Sequence, residues 1–196
     1  MTARIAPAEA PFPPDIQAVF DRTMPPGLPP LLLFTTLARE PRLFHKFFAA
    51  SLLDKGGLTL RQRELVIDRT TALCQSEYEW GVHITVFAQK AGFSAEQVAS
   101  LACGDGDDAC WPDDERDLLR LCDSLHAGCS VDDALWQRLS AQFPDEALLE
   151  LLMLAGFYRT VSYLTNALQL PPEAYAGRFP QAAQAPKSQV NDTSAT

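Results

Sequence analysis

The chain has no long hydrophobic run, no stretch of clustered basic residues, no glycine-rich phosphate loop and no cysteine pair at a metal-ligand spacing. Each absence removes a class of function. Apolar runs such as Leu31–Phe34 and Leu148–Phe157 fall well short of the roughly 20 residues that a helix needs to cross a bilayer. The first residues carry no basic region followed by an apolar one, so no secretory signal is visible. The 16 Lys and Arg residues face 25 Asp and Glu residues, for a net charge of −9 and a sequence pI of about 4.7. The basic residues are scattered singly, so neither nucleic acid nor an anionic membrane surface is an expected partner.

Cysteine is present without a framework. Five cysteines are an odd number, and reduced thiols in a cytosol are the natural reading, which gives a cytoplasmic location as the expectation. Cys103 and Cys110, and again Cys122 and Cys129, are separated by six residues, which is no zinc spacing. The acidic run Asp105–Asp108 lacks the twelve-position pattern of a calcium loop. No Gly-x-Ser-x-Gly elbow occurs either. No metal and no other cofactor is expected.

What is present is helix. At 196 residues and 47% hydrophobic, the chain can bury one core. No alternating strand pattern or internal repeat is visible, so the expected fold is all-α. Proline-rich residues 1–14 read as a flexible arm, 15–175 as a single helical domain, and 176–196 as a disordered tail. A short helix over Asp15–Met24, with Asp15 as its cap, precedes the breaker PPGLPP at 25–30. Leu31–Arg39 gives the next helix, and Pro41 stops it and opens another. Capping boxes at Thr59–Gln62, Ser76–Glu79 and Ser94–Gln97 predict three helix starts. Helices follow at roughly 113–127 and 131–143. The last, about Asp145–Leu170, is apolar on nearly every face and is expected at the centre of the bundle.

The residues with chemical potential crowd into Arg61–Gly92, two helices broken near Cys74–Ser76. Glu79 lies one turn before His83, close enough for a carboxylate to orient an imidazole for general acid/base work. Glu64 shares one broad face with Ile67, Thr71 and Cys74, where a carboxylate is either a solvated edge residue or a buried acid. Tyr78 and Trp80 are candidates for a pocket wall or for plain core packing. Arg159 interrupts the most apolar helix, and its partner there is either a glutamate or a substrate carboxylate.

The segment RELVIDRTTALCQSEYEWGVHITVFAQKAGFS resembles the carboxymuconolactone decarboxylase-like superfamily, which includes the AhpD-type alkylhydroperoxidases. Glu77-Tyr-Glu-Trp-Gly-Val-His83 is its most specific part, and Gly156–Arg159 through Asn166 is similar to the closing helix. The resemblance covers roughly residues 30–172. It implies an AhpD-like helical bundle assembling into trimers or hexamers, with sites near subunit contacts. The peroxidase branch places a glutamate twelve residues before a Cys-x-x-Cys pair and a histidine four residues after it. Those positions are Glu64, Ser76, Glu79 and His83 here, so both thiols are missing and the dithiol cycle has no attacking or resolving sulfur.

The glutamates and the histidine that remain resemble the decarboxylase branch. That implies lyase-type acid/base chemistry on a small acidic substrate. In this reading His83 is the proton donor, Glu79 its orienter, Glu64 a second acid/base and Arg159 the carboxylate anchor, with Tyr78 and Trp80 as walls. The alternatives are a peroxiredoxin-like activity and a non-catalytic oligomer that binds a ligand or partner.

Overall fold

The computed structural model describes residues 3–180. Of the expected tail, 181–196 lie outside the described residues. Nine α-helices and no strand occur among the described residues: α1 (Pro14–Thr23), α2 (Leu32–Leu37), α3 (Pro41–Ala49), α4 (Leu60–Leu73), α5 (Glu77–Ala91), α6 (Ala95–Cys103), α7 (Asp113–Gly128), α8 (Asp133–Gln142) and α9 (Asp145–Ala167).

The hub is α4. It packs against α5, α6, α7 and α9 and buries every residue from Glu64 to Ala72. Leu65, Val66 and Ile67 are fully enclosed, each contributing on the order of 2 kcal/mol of apolar burial. Its start is fixed by the Thr59–Gln62 capping box. Its end is a left-handed closure: Gln75 takes φ 55°, and the Gln75 and Ser76 amides donate back to the Ala72 and Thr71 carbonyls. Asn166 of α9 donates to the Cys74 carbonyl at 2.8 Å, so the break is pinned from outside as well.

Two expected caps differ. Pro14, at the first helical position, opens α1, and Asp15 lies in the first turn, where it pairs with His45 at 2.7 Å. Ser76 makes no cap: it is fully buried, and its hydroxyl pairs with that of Thr165 at 2.8 Å.

The long α9 is apolar and long enough to cross a membrane by length and composition. It packs one flank against α4 and α5, burying Leu151, Leu154, Tyr158 and Val161. Its other flank leaves Leu149, Met153 and Tyr163 exposed.

Both ends of the described chain are held down. The Arg4 and Ala8 amides donate to the carbonyls of Leu168 and Thr35. After α9, residues 171–180 cross α5 as a strap. Glu173 accepts from the Leu32 amide and the Tyr78 hydroxyl. The Gly177 amide reaches Gly81 and Thr85, and the Phe179 ring lies 5.0 Å from Trp80. Gly81 permits this, because a Cβ there would run into the Gly177 carbonyl.

Candidate active site

Helical period brings the acids and the imidazole together. Glu64 faces α5 from the first turns of α4, and Glu79 and His83 are one turn apart on α5. The His83 Nδ1–H donates to Glu64 Oε2 at 2.7 Å. On the other side of the ring, Nε2 faces Glu79 Oε1 at 3.4 Å and the Tyr158 hydroxyl at 3.2 Å. All four side chains are buried, and Glu64 has no exposed surface at all.

Burial alone would strip His83 of its charge. The Glu64 carboxylate, by charge and hydrogen bond, and Glu79 behind it outweigh that penalty and raise its pKa to about 10. At neutral pH His83 is therefore an imidazolium with both N–H groups facing acceptors. Burial, then the charges of Glu79 and Glu64, hold the Tyr158 phenol well above its ordinary range. When the phenol oxygen accepts from Nε2–H, its own O–H is left to donate elsewhere. Asp68, one turn beyond Glu64, is also fully buried, and neither of its oxygens has a hydrogen-bond partner among the described residues. Burial pushes its pKa well up, the imidazolium opposes this, and Glu64 and Glu79 reinforce it.

This group forms the floor of a cavity of about 290 Å³, where Glu79, His83 and Tyr158 reach the surface. The walls are Leu31, Phe34, Phe47, Phe48, Phe87 and Phe157, with Tyr175 added by the strap and the exposed Arg22 at the mouth. No thiol lines it. All five cysteines lie elsewhere, and the fully buried Ser76 and the histidine-paired Glu79 stand at the two positions where the resemblance would place thiols.

Of the expected site residues, the fold brings together Glu64, Glu79 and His83. It does not bring Tyr78, Trp80 or Arg159 to the cavity. Tyr78 turns to the strap, where its hydroxyl accepts from the Leu33 amide at 3.1 Å and donates to Glu173. Trp80 packs at a tilt against Phe179. Arg159 follows Tyr158 on α9, so a rotation of about 100° sends it to the opposite flank. There its guanidinium donates to the carbonyls of Leu125 at 3.2 Å and His126 at 3.3 Å and to the Tyr163 hydroxyl.

Tyr158 and Tyr175 are site residues that sequence reasoning missed. A hydroxyl in the most apolar helix was the available signal for Tyr158. Tyr175 gave none, because it belongs to a proline-rich segment with no helical period.

Arg159 instead lines a second cavity of about 180 Å³ with Cys74, Cys122, Cys129 and His126. Cys74 Sγ lies 3.9 Å from His126 Nδ1. Burial raises the Cys74 thiol pKa, more than the Arg159 charge and a hydrogen bond to Ser162 lower it.

Residues 41–121 match the model of the carboxymuconolactone decarboxylase family. That segment is similar to the carboxymuconolactone decarboxylase family. The matched segment runs from α3 into α7 and contains Glu64, Glu79 and His83, while Tyr158 and the strap lie beyond it. No curated protein matches the chain.

Solved structures share the fold. A peroxidase-related protein from Silicibacter superposes with a TM-score of 0.76 at 19% identity, over 89% of this chain and 94% of that one. A peroxidase-related protein with an alkylhydroperoxidase AhpD core, from Ralstonia eutropha, gives 0.71 at 23% identity, over 87% and 93%. The debrominase Bmp8, solved with 2,3,4-tribromopyrrole, gives 0.72 at 15% identity, over 89% and 94%. At these identities the likeness concerns the fold.

Proposed function

We propose that this protein is a non-redox enzyme that moves a proton to or from a small molecule held over His83. The observation that carries the reading is the His83 ring, clamped at 2.7 Å by a wholly buried Glu64 and opening onto a cavity without a thiol. The division of labour differs from the one the sequence suggested. Glu64 is the orienting carboxylate, because it is the nearer partner and does not line the cavity. Glu79 lines the cavity and sets its Oε1 3.4 Å from the outward ring nitrogen of His83, which places it to act as the base.

For an enolisable substrate, Glu79 takes the proton α to a carbonyl. His83 supplies a proton to the carbonyl oxygen through Tyr158, whose phenol accepts from Nε2 as it donates. Reversal protonates the carbon, which is also the step that completes a decarboxylation once carbon dioxide has left. Charge developing on the oxygen is met by a buried imidazole held in place by the fold at the floor of an apolar-walled cavity, a setting that favours such stabilisation.

The test is deuterium incorporation from D2O into an enolisable butenolide, followed by proton NMR. Wild type should exchange, and His83→Gln should lose about a hundred-fold or more. Equal exchange by His83→Gln would sink the reading. An assay with cumene hydroperoxide and dithiothreitol should give no turnover above buffer. Robust turnover there would favour the peroxiredoxin-like alternative at Cys74.

Assembly is part of the proposal. Leu149, Met153, Gly156, Thr160 and Tyr163 fall on one exposed stripe of α9. Gly156 opens space where a second helix can approach closely. A second copy of this chain is the occupant such a stripe suits, and the reading is a cytosolic homo-oligomer of trimeric or hexameric type. Met153→Glu should lower the mass measured by light scattering.

A further inference from the structure

The cavity floor presents one cation, and that cation is already taken. Nδ1–H of His83 is bonded to Glu64, and Nε2–H faces Glu79 and Tyr158. A carboxylate brought to the same place would find no free N–H. It would stand beside the Glu79 carboxylate, whose Oε2 is buried and without a partner among the described residues. Two carboxylates in contact in a dry site cannot both stay ionised.

The other nearby cations do not help. Arg159 lies in the second cavity. Arg63 sits beside Glu64, with its Nε 3.7 Å from Oε1, and donates to the carbonyls of Leu53 and Asp54 without lining the cavity. Arg22 is exposed at the mouth, where water and salt screen it. The walls are aromatic and aliphatic, a surface that gains by covering an uncharged ring.

We propose that the cavity takes a neutral, largely apolar, ring-sized molecule whose single carbonyl-type acceptor points at the Tyr158 hydroxyl, and that it rejects the corresponding carboxylate. This inference rests on the proton-transfer reading and names its substrate class. It departs from the acidic substrate that the family resemblance implies. Tyr158 then supplies the recognising O–H, and Glu79 supplies both the base and the discrimination against anions.

Acetophenone and benzoate form a matched pair of probes, nearly equal in shape and different in charge. Each is titrated at pH 7.5 into the full-length protein, with binding read from the His83 imidazole signals in nitrogen-15 NMR. Acetophenone should bind at least ten-fold more tightly than benzoate. Glu79→Gln, which removes the opposing charge and keeps the shape, should raise benzoate affinity by ten-fold or more.

Benzoate binding as tightly as acetophenone would overturn the proposal, as would failure of both probes to bind. Benzoate binding that is lost in Arg22→Gln would overturn it too, by placing the anion at the mouth. The proton-transfer reading fails separately, on the deuterium exchange of His83→Gln. An anion-preferring cavity with exchange still dependent on His83 would sink the neutral-substrate inference alone.

Discussion

The two cavities hold the same kind of base in opposite surroundings. In the first, His83 is flanked by carboxylates and walled by aromatic rings, and its charge is fixed by the fold. In the second, His126 stands near a thiol 3.9 Å away, with Arg159 as the neighbouring charge. A histidine between two acids is a proton device. A histidine beside a thiol becomes a nucleophile-activating device only if the thiol is made acidic, and burial here works the other way on Cys74. Both cavities depend on α4: Glu64, near its start, holds the imidazole that lines the first, while Thr70 and Cys74, near its end, line the second. One helix therefore separates acid/base groups from sulfur along its length.

The largest expected effect breaks the first cavity alone. Glu64→Ala strands a buried imidazole and should cost about 3–5 kcal/mol, read as a shift in the urea midpoint. Cys74→Ala, at a half-buried thiol in no ion pair, should cost less than about 1.5 kcal/mol. Equal losses would mean that the Glu64–His83 contact is as loose as the thiol's.

Alkylation sharpens the other half of the comparison. Cys103 and Cys129 are exposed and should react first with iodoacetamide. Cys122 is buried, and burial pushes its pKa to about 12, so it should react at least a hundred-fold more slowly until the protein unfolds. Peptide mass spectrometry gives the order. A fast Cys74, ahead of both exposed thiols, would return the second cavity to the list of reactive sites.

A smaller effect is expected in the pH profile. His83 has a folded pKa of about 10, above its unfolded value near 6.5, so its contribution to stability is complete below about pH 6.5. It is lost as the pH rises through 10. The imidazole resonances should therefore move near pH 10 and stay flat between 6 and 8. Titration near 6.5 would show that the carboxylates do not hold the proton.

Much of this was legible from local signals. The helix starts at Thr59 and Ser94 follow from side chains that bond amides three residues away, an interaction contained in four residues. Glu79 and His83 are legible as a pair because one helical turn joins them. The partner that matters more, Glu64, is nineteen residues away, and no period predicts a distance across two helices. Tyr158 and Arg159 are adjacent in the chain, and only the placement of α9 decides which of them turns to His83. The Ser76 cap failed for the same kind of reason. Its local partner lost to a tertiary one, Thr165, that appears only when α9 packs against the α4–α5 break. The strap was illegible because its order comes from Glu173, Gly177 and Phe179 meeting α2 and α5.

The smallest expected effect bears on the acid cluster's hidden member. Asp68 is fully buried, its oxygens have no hydrogen-bond partner among the described residues, and Glu64, Glu79, His83 and Tyr158 are the titratable groups closest to it in charge. An ionised carboxylate there would be unpaired, so the folded protein holds Asp68 neutral, while the unfolded chain ionises it near pH 4. Folding at neutral pH then takes up a proton, and the stability associated with Asp68 falls as the pH rises above 4. Asp68→Asn is neutral at every pH and removes that slope. The variant's advantage over wild type should grow steadily from pH 4.5 to pH 8, because the cost of burying the amide is the same at both. The same sign as the His83 effect, from a carboxyl group in place of an imidazole, would mark both as members of one cluster that holds protons against a rising pH. A variant less stable than wild type by the same amount at both pH values would mean that Asp68 is ionised and paired in the fold.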